Sequence, residues 1–282
     1  MERQKRALAV HDISCIGKCS LTAALPIISA AGVETAVIPT AVLSTHTGGF
    51  DGFTYRDLTD DILPVSRHWQ DLEIKFDAIY TGFLGSIRQV DIIIEVLNTF
   101  GKNCLKIVDP AMADDGKMYT TFDSGFADEM KKLCKKADIV VPNVTEACFF
   151  LKREYQKPPY KKEYIEGLLR DLCGLFGNKI VLTGVCFDGS ELGAAVIETK
   201  DGGISYHFSE KTPQNYPGSG DVFASALTAA LMRDLSLKSS AEIAVEFTAK
   251  AVQTTFFAKT DPRYGLNFER QIPWLIKALG LL

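Results

Sequence analysis

Pro217-Gly218-Ser219-Gly220-Asp221 runs directly into Val222-Phe223-Ala224-Ser225-Ala226-Leu227. Two glycines flank a small residue, a carboxylate follows, and an apolar-periodic helix begins. A glycine-rich turn at a helix start aims backbone N–H groups at one point and so makes an anion site. The acid after it is placed to take a proton from a hydroxyl held beside that anion. The stretch therefore carries the two parts that phosphorylation of an alcohol needs. The competing reading of the same residues is a loop in which Asp221 caps a helix.

Outward from this turn, short apolar runs alternate with helical patterns. The runs predict strands at Ala7–His11, Glu34–Pro39, Ala78–Thr81, Leu105–Val108, Ile139–Val141, Lys179–Leu182, Gly193–Ile197 and Ile204–Phe208. The periodicity predicts helices at Leu21–Ala31, Arg88–Phe100, Ser124–Lys136, Glu146–Leu151, Lys162–Phe176, Val222–Met232, Lys238–Phe257 and Pro273–Leu281. Such alternation specifies a three-layer α/β fold: a mostly parallel central sheet with helices on both faces. Lys200-Asp201-Gly202-Gly203 between the last two strands marks an antiparallel hairpin at one edge. No internal repeat or linker interrupts the pattern, so residues 1–282 are read as one domain with no separate lid domain. The segment Thr45–Thr54, with Gly48, Gly49 and Gly52, reads as a flap over a site.

The bulk properties agree. The 282 residues are 46% hydrophobic and 23% charged, enough for a full core. A net charge of −4 argues against a dedicated nucleic-acid binder. The seven cysteines have irregular spacing and no Cys-x-x-Cys pair, which fits free thiols, mostly buried, in a reducing cytoplasm. The four histidines show no metal spacing. No apolar run reaches the ~18 residues of a membrane span. The first strand begins so near Met1 that no leader peptide is expected.

In an open α/β sheet, ligands sit at the carboxyl ends of the strands. The residues predicted there form a polar row: His11, Asp12 and Ser14; Thr81 and Gly82; Asp109; Asn143, Thr145 and Glu146; Thr183 and Gly184. Asp109 and Asp114, in Asp109-Pro110-Ala111-Met112-Ala113-Asp114, offer hard oxygen ligands to Mg²⁺, or else cap a turn. Asn143 and Glu146 could attend a phosphate and, through water, a metal; they also match a capping box with Asn in place of Ser or Thr. His46 and Thr47 could touch a polar aromatic substrate. Tyr80, Phe83 and Phe53 are candidate stacking surface or ordinary packing. Tyr216 adjoins the glycine-rich turn and is read as bordering a nucleotide.

Two better-known phosphate motifs fail. Gly17-Lys18-Cys19 imitates the end of a Walker A loop, but Asp12 stands at the first glycine and Cys19 at the magnesium-binding hydroxyl. Gly218 and Gly220 begin a dinucleotide fingerprint in which Phe223 takes the place of the third glycine. No Gly-x-Ser-x-Gly nucleophile elbow occurs.

The Gly-Ser-Gly-Asp element, the Asp109-Pro110-Ala111-Met112 loop and the Pro142-Asn143-Val144-Thr145-Glu146 element, together with His46-Thr47-Gly48 and Thr81-Gly82-Phe83-Leu84-Gly85-Ser86, resemble the ribokinase-like superfamily and within it the vitamin B6 kinases. The resemblance runs from about Ala7 to Leu231. It implies ATP-dependent transfer of the γ-phosphate to the 5′-hydroxymethyl group of pyridoxal, pyridoxine or pyridoxamine. It implies Asp221 as base, with Gly218, Ser219 and Gly220 forming the anion hole. Asp109, Asp114, Asn143, Glu146 and Thr183 would attend ATP and Mg²⁺, the three acids being on the metal side. A monovalent cation such as K⁺ would accompany the anion hole. Asp12, Ser14, Thr47 and Phe83 would lie on the acceptor side, in a homodimer. Two departures stand out. Position 83 is Phe where better-known B6 kinases carry Tyr. The segment Asp12–Pro26 is spaced more like the hydroxymethylpyrimidine kinases, which makes that activity, or another small-alcohol kinase, the alternative. A non-catalytic vitamer- or nucleotide-binding regulator is the reading from a different class, and the intact Asp221 speaks against it.

Overall fold

The first strand, Arg6–Ser14 (β1), is buried along nearly its whole length. Ala7 packs on one side of the sheet and Leu8 and Val10 on the other, so both faces of this strand are core. A parallel sheet covered by crossover helices produces this double burial. The computed structural model describes residues 3–123 and 125–282. The further strands are β2 (Glu34–Leu43), β3 (Tyr55–Asp57), β4 (Ala78–Thr81), β5 (Leu105–Val108), β6 (Ala113–Asp114), β7 (Lys117–Met118), β8 (Ile139–Val140), β9 (Lys179–Val185), β10 (Glu191–Ile197) and β11 (Ile204–Glu210). The helices are α1 (Leu21–Ala30), α2 (Thr59–Asp71), α3 (Ile87–Phe100), α4 (Phe126–Cys134), α5 (Val144–Leu151), α6 (Lys162–Phe176), α7 (Ser219–Met232), α8 (Leu237–Phe257) and α9 (Ile272–Ala278).

Among the described residues nine strands form one sheet in the order β11-β10-β9-β8-β5-β4-β1-β2-β3. The central pairs from β9 through β2 are parallel. The edges are antiparallel: β10 and β11 at one side, as Lys200–Gly203 predicted, and β3 against β2 at the other. The strands β6 and β7 form a separate small hairpin. Helices α2 to α6 cover the face that carries Leu8 and Val10, and α1 and α7 to α9 cover the face that carries Ala7 and Tyr80.

Three local features differ from the sequence reading. The strand β1 runs on to Ser14, so Asp12 and Ser14 lie within its last turns of pleat rather than after it. The edge element β3 and the helix α2 were not anticipated: α2 contains Pro64, has Leu58 at its N-cap, and buries only Thr59, Ile62 and Ser66. The predicted helix 124–136 spans Phe126–Cys134, and Ser124 lies outside the described residues. The cysteines are free, and all but Cys15 are buried. No helix is long and apolar enough to cross a membrane among the described residues.

Candidate active site

The helix α7 begins at Ser219, three residues earlier than the periodicity predicted, so Asp221 belongs to its first turn. Gly218 occupies the N-cap in the left-handed region, with φ 78°. A Cβ at this position would stand 2.6 Å from the Lys18 carbonyl oxygen and 3.1 Å from Cys19 Sγ. Only glycine allows both the backbone conformation and the approach. The Ser219 N–H donates to the Tyr216 carbonyl oxygen at 3.4 Å. The N–H groups of Gly220 and Asp221 have no intrahelical acceptor, as at any helix start, and they carry the positive end of the helix dipole. Gly220 is exposed, so this corner is open to a ligand.

Asp221 is half-buried, and burial pushes its carboxyl up to about 7; the Ser20 N–H opposes the shift and the Asp12 carboxylate adds to it. Asp12 is itself buried and raised, chiefly by burial, while hydroxyl groups of Ser20 and Ser14 hold it back. The Ser14 hydroxyl donates to Asp12 Oδ2 at 3.2 Å. The structure thus brings Asp221, Asp12 and Ser14 together from opposite ends of the chain. A carboxyl that titrates near neutrality is suited to general-base work at physiological pH.

The second acidic group lies along the ends of β5 and β8. Glu146 is fully engaged: Oε1 accepts the N–H groups of Met112 (2.8 Å) and Ala113 (3.5 Å), and Oε2 accepts that of Asn143 (2.9 Å). Asn143 Oδ1 accepts the Glu146 N–H at 2.9 Å, which completes the capping box, and Asn143 Nδ2 donates to the Ala113 carbonyl oxygen at 2.7 Å. Burial raises Glu146 to about 7 against the pull of those amides. Asp109 is raised well above the ordinary carboxylate range by burial and by the charges of Glu146 and Asp221. Asp114, exposed on the β6–β7 hairpin, accepts the Asp115 N–H. Glu146, Asp109 and Asp114 are the acids expected to attend a Mg²⁺ held through water and phosphates. Among the described residues no three such side chains are grouped as a closed ligand set. Thr183 lies at the end of β9, its hydroxyl 3.4 Å from the Pro142 carbonyl oxygen.

The loop between β2 and β3 forms the flap, closed at its base by Ser44 and Thr54. His46 was expected to reach the substrate. Instead its ring is buried, and both nitrogens are used within the protein. Nδ1 accepts the Gly48 N–H at 3.0 Å, which leaves the proton on Nε2 for the Arg263 carbonyl oxygen 2.6 Å away. Thr47 is exposed on the flap, and Phe83 is half-buried with its ring 5.4 Å from that of Phe122. Tyr80 is core: it is fully buried against the α7 side of the sheet. Tyr216 lines a cleft of about 440 Å³ with Gln214, Phe256, Phe257 and Thr260. The Walker-like Lys18 is turned away, its Nζ 2.9 Å from Glu269. Sequence reasoning gave no site role to Ser20 or Arg263; the Ser20 amide acts on Asp221 and its hydroxyl on Asp12, and the Arg263 carbonyl oxygen holds His46, contacts that only the folded chain brings near.

The mostly parallel sheet with helices on both faces is the fold of the ribokinase-like class. Within it, this chain belongs to the phosphomethylpyrimidine kinase family, whose sequence profile matches residues 19–263. A solved protein of Bacteroides thetaiotaomicron, described as a phosphomethylpyrimidine kinase and crystallised with pyridoxal, is 34% identical, with a TM-score of 0.91 over 97% of this chain and 96% of that one. Pyridoxal kinase from Lactobacillus plantarum is 29% identical, with a TM-score of 0.90 over 98% of each chain. The pyridoxine/pyridoxal/pyridoxamine kinase of Bordetella avium is 26% identical over 89% of this chain and 86% of its own length. The chain spans 42% and 48% of the lengths of two other curated relatives that it matches.

Proposed function

We propose that the protein transfers the γ-phosphate of ATP to the 5′-hydroxymethyl group of pyridoxal, pyridoxine or pyridoxamine. The observation that carries this reading is the pairing at one corner of free α7 amides with Asp221, whose carboxyl is raised to about 7. Asp221 takes the hydroxyl proton, and the amides of Gly220 and Asp221 stabilise the charge on the phosphoryl group in flight. Phosphoryl transfer needs positioning, charge neutralisation and a base, with little covalent work from the protein. Asp109 and Glu146 are the buried carboxyl groups that would attend a hydrated Mg²⁺, whose charge would favour their ionised forms against burial and would supply the neutralisation. Phe83 and Phe122 offer an aromatic ring a stacking surface. The relative crystallised with pyridoxal supports a vitamer as acceptor.

The family match favours a second acceptor, hydroxymethylpyrimidine, which also presents a hydroxymethyl group on a nitrogen heterocycle. A panel of the three vitamers and hydroxymethylpyrimidine with Mg-ATP, read as the phosphorylated product, decides between them. A 5′-phosphate from at least one vitamer is expected. Product from the pyrimidine alone would replace the first reading, and product from none would remove both.

A further inference from the structure

The acceptor side of the site holds one polar group that no motif marks. Tyr55 opens β3, immediately after the flap. Its register is fixed across three strands, because Ser14 pairs with Leu43 and Leu43 with Tyr55. Tyr55 is therefore tied to the end of β1 that carries Asp12 and Ser14. From the other direction, the turn after β4 is fastened to the same region. The Gly85 N–H donates to Gln89 Oε1 at 2.7 Å, and the buried Gln89 amide donates to the Thr40 carbonyl oxygen (3.0 Å) and the Thr59 hydroxyl (2.8 Å). The phenol of Tyr55 reaches the space above that turn: its hydroxyl oxygen lies 2.6 Å from where a Cβ of Gly85 would stand, and a Phe83 ring carbon lies 3.9 Å from the same point. Tyr55 is 44% exposed, so the residue is not sealed in the core. The negative charge of Asp12, after burial and Asp57, helps hold the phenol in its protonated, donating form.

We propose that Tyr55 is a specificity-determining residue of the acceptor pocket, where its hydroxyl, held over Gly85 beside Phe83, hydrogen-bonds a polar substituent of the acceptor ring. The inference rests on the vitamer-kinase reading above and deepens it. It assigns to the edge strand the hydroxyl that Phe83 lacks. Because Tyr55 also begins where the flap ends, ring recognition and flap position share one residue.

The test uses the full-length wild type, Tyr55→Phe, and the double variant Tyr55→Phe/Phe83→Tyr. Pyridoxal binding is measured by calorimetry without nucleotide, KM and kcat with Mg-ATP, and the melting temperature as a control. Tyr55→Phe is expected to weaken pyridoxal binding and raise KM about three- to tenfold, the range for one lost hydrogen bond, with kcat and melting temperature nearly unchanged. The double variant returns a hydroxyl to the same space and is expected to recover binding. Unchanged binding and KM in Tyr55→Phe would overturn the assignment, as would a fall in kcat alone. Wild type that neither binds nor phosphorylates any vitamer would instead remove the functional reading, and the Tyr55 assignment with it.

Discussion

His46 joins the flap to the C-terminal part of the chain: its Nε2 donates to the Arg263 carbonyl oxygen at 2.6 Å across 217 positions of sequence. Two weaker contacts run in parallel. The Arg263 guanidinium lies over the Phe50 ring at 5.5 Å, and Phe50 meets Tyr264 edge-on at 5.6 Å. The flap is thus held by a buried imidazole whose two nitrogens are both engaged within the protein. Replacing His46 by Ala leaves a part-buried carbonyl without its donor, a loss of about 1 kcal/mol. The expected outcome is a lower melting temperature, faster amide exchange across residues 45–54, and a KM for the acceptor that rises more than kcat falls. A variant with wild-type exchange in the flap would contradict this tether.

Asp221→Asn is expected to keep the fold of the corner and to remove the proposed base. Turnover should fall by about 10²–10⁴ while ATP binding persists. In the wild type, kcat/KM should rise with pH as the carboxyl ionises around 7 and then level off. A profile flat between about pH 5 and pH 8 would separate the titrating group from catalysis.

The same carboxyl links stability to pH. Its folded pKa is raised above the unfolded value of 3.8, so its contribution is complete below that value and is lost as pH climbs through about 7. Buried His11, pulled down to about 3 by desolvation, gives the opposite slope. The informative quantity is therefore the difference between wild type and Asp221→Asn. The variant should gain stability relative to wild type as pH rises, on the order of 1 kcal/mol for a half-buried group. Melting curves of both proteins across that range measure it, and parallel curves would exclude the linkage.

Gly218→Ala should be damaging for two independent reasons: a left-handed φ of 78° and a new methyl 2.6 Å from the Lys18 carbonyl oxygen. The clash tilts the first turn of α7, so activity should drop at least as far as stability, the latter by about 1–3 kcal/mol. Asn143→Ala tests the other end of the site. It removes the cap of α5 and the tie to Ala113, with an expected loss of about 1–2 kcal/mol. Chemical denaturation of the two variants gives both numbers, and a neutral Asn143→Ala would show the capping box to be dispensable.

The central strands were legible because parallel pairing buries them on both faces and leaves continuous apolar runs such as Ala7–Val10 and Ala78–Tyr80. The hairpin at Lys200–Gly203 was legible from its turn residues. The helix α2 was not, because Pro64 and a weakly apolar inner face hide its period. The strand β3 escaped because three exposed residues have no pattern of their own and exist as a strand only against β2. At the site, the sequence put Asn143 and Glu146 under two readings at once, since a capping box and a phosphate-binding pair use the same residue types. Hydrogen-bond geometry shows the box to be formed, and the two readings are compatible. The shift at Asp221 could not be anticipated, because it depends on burial and on Asp12, which the fold carries in from the first strand.

The short bend from Cys15 to Ser20 has an outcome for anyone who would retarget this protein. Its carbonyl at Lys18 backs Gly218, its Gly17 supports the His46 ring and abuts Gly265, its Lys18 ammonium is anchored on Glu269, and its Ser20 amide reaches Asp221. Phe83, Thr47 or Tyr55 can be varied one at a time in a library without disturbing that bend. A loop graft or an insertion inside it would shift base, flap and tail together, and selection for a new acceptor would then be confounded by the loss of chemistry itself.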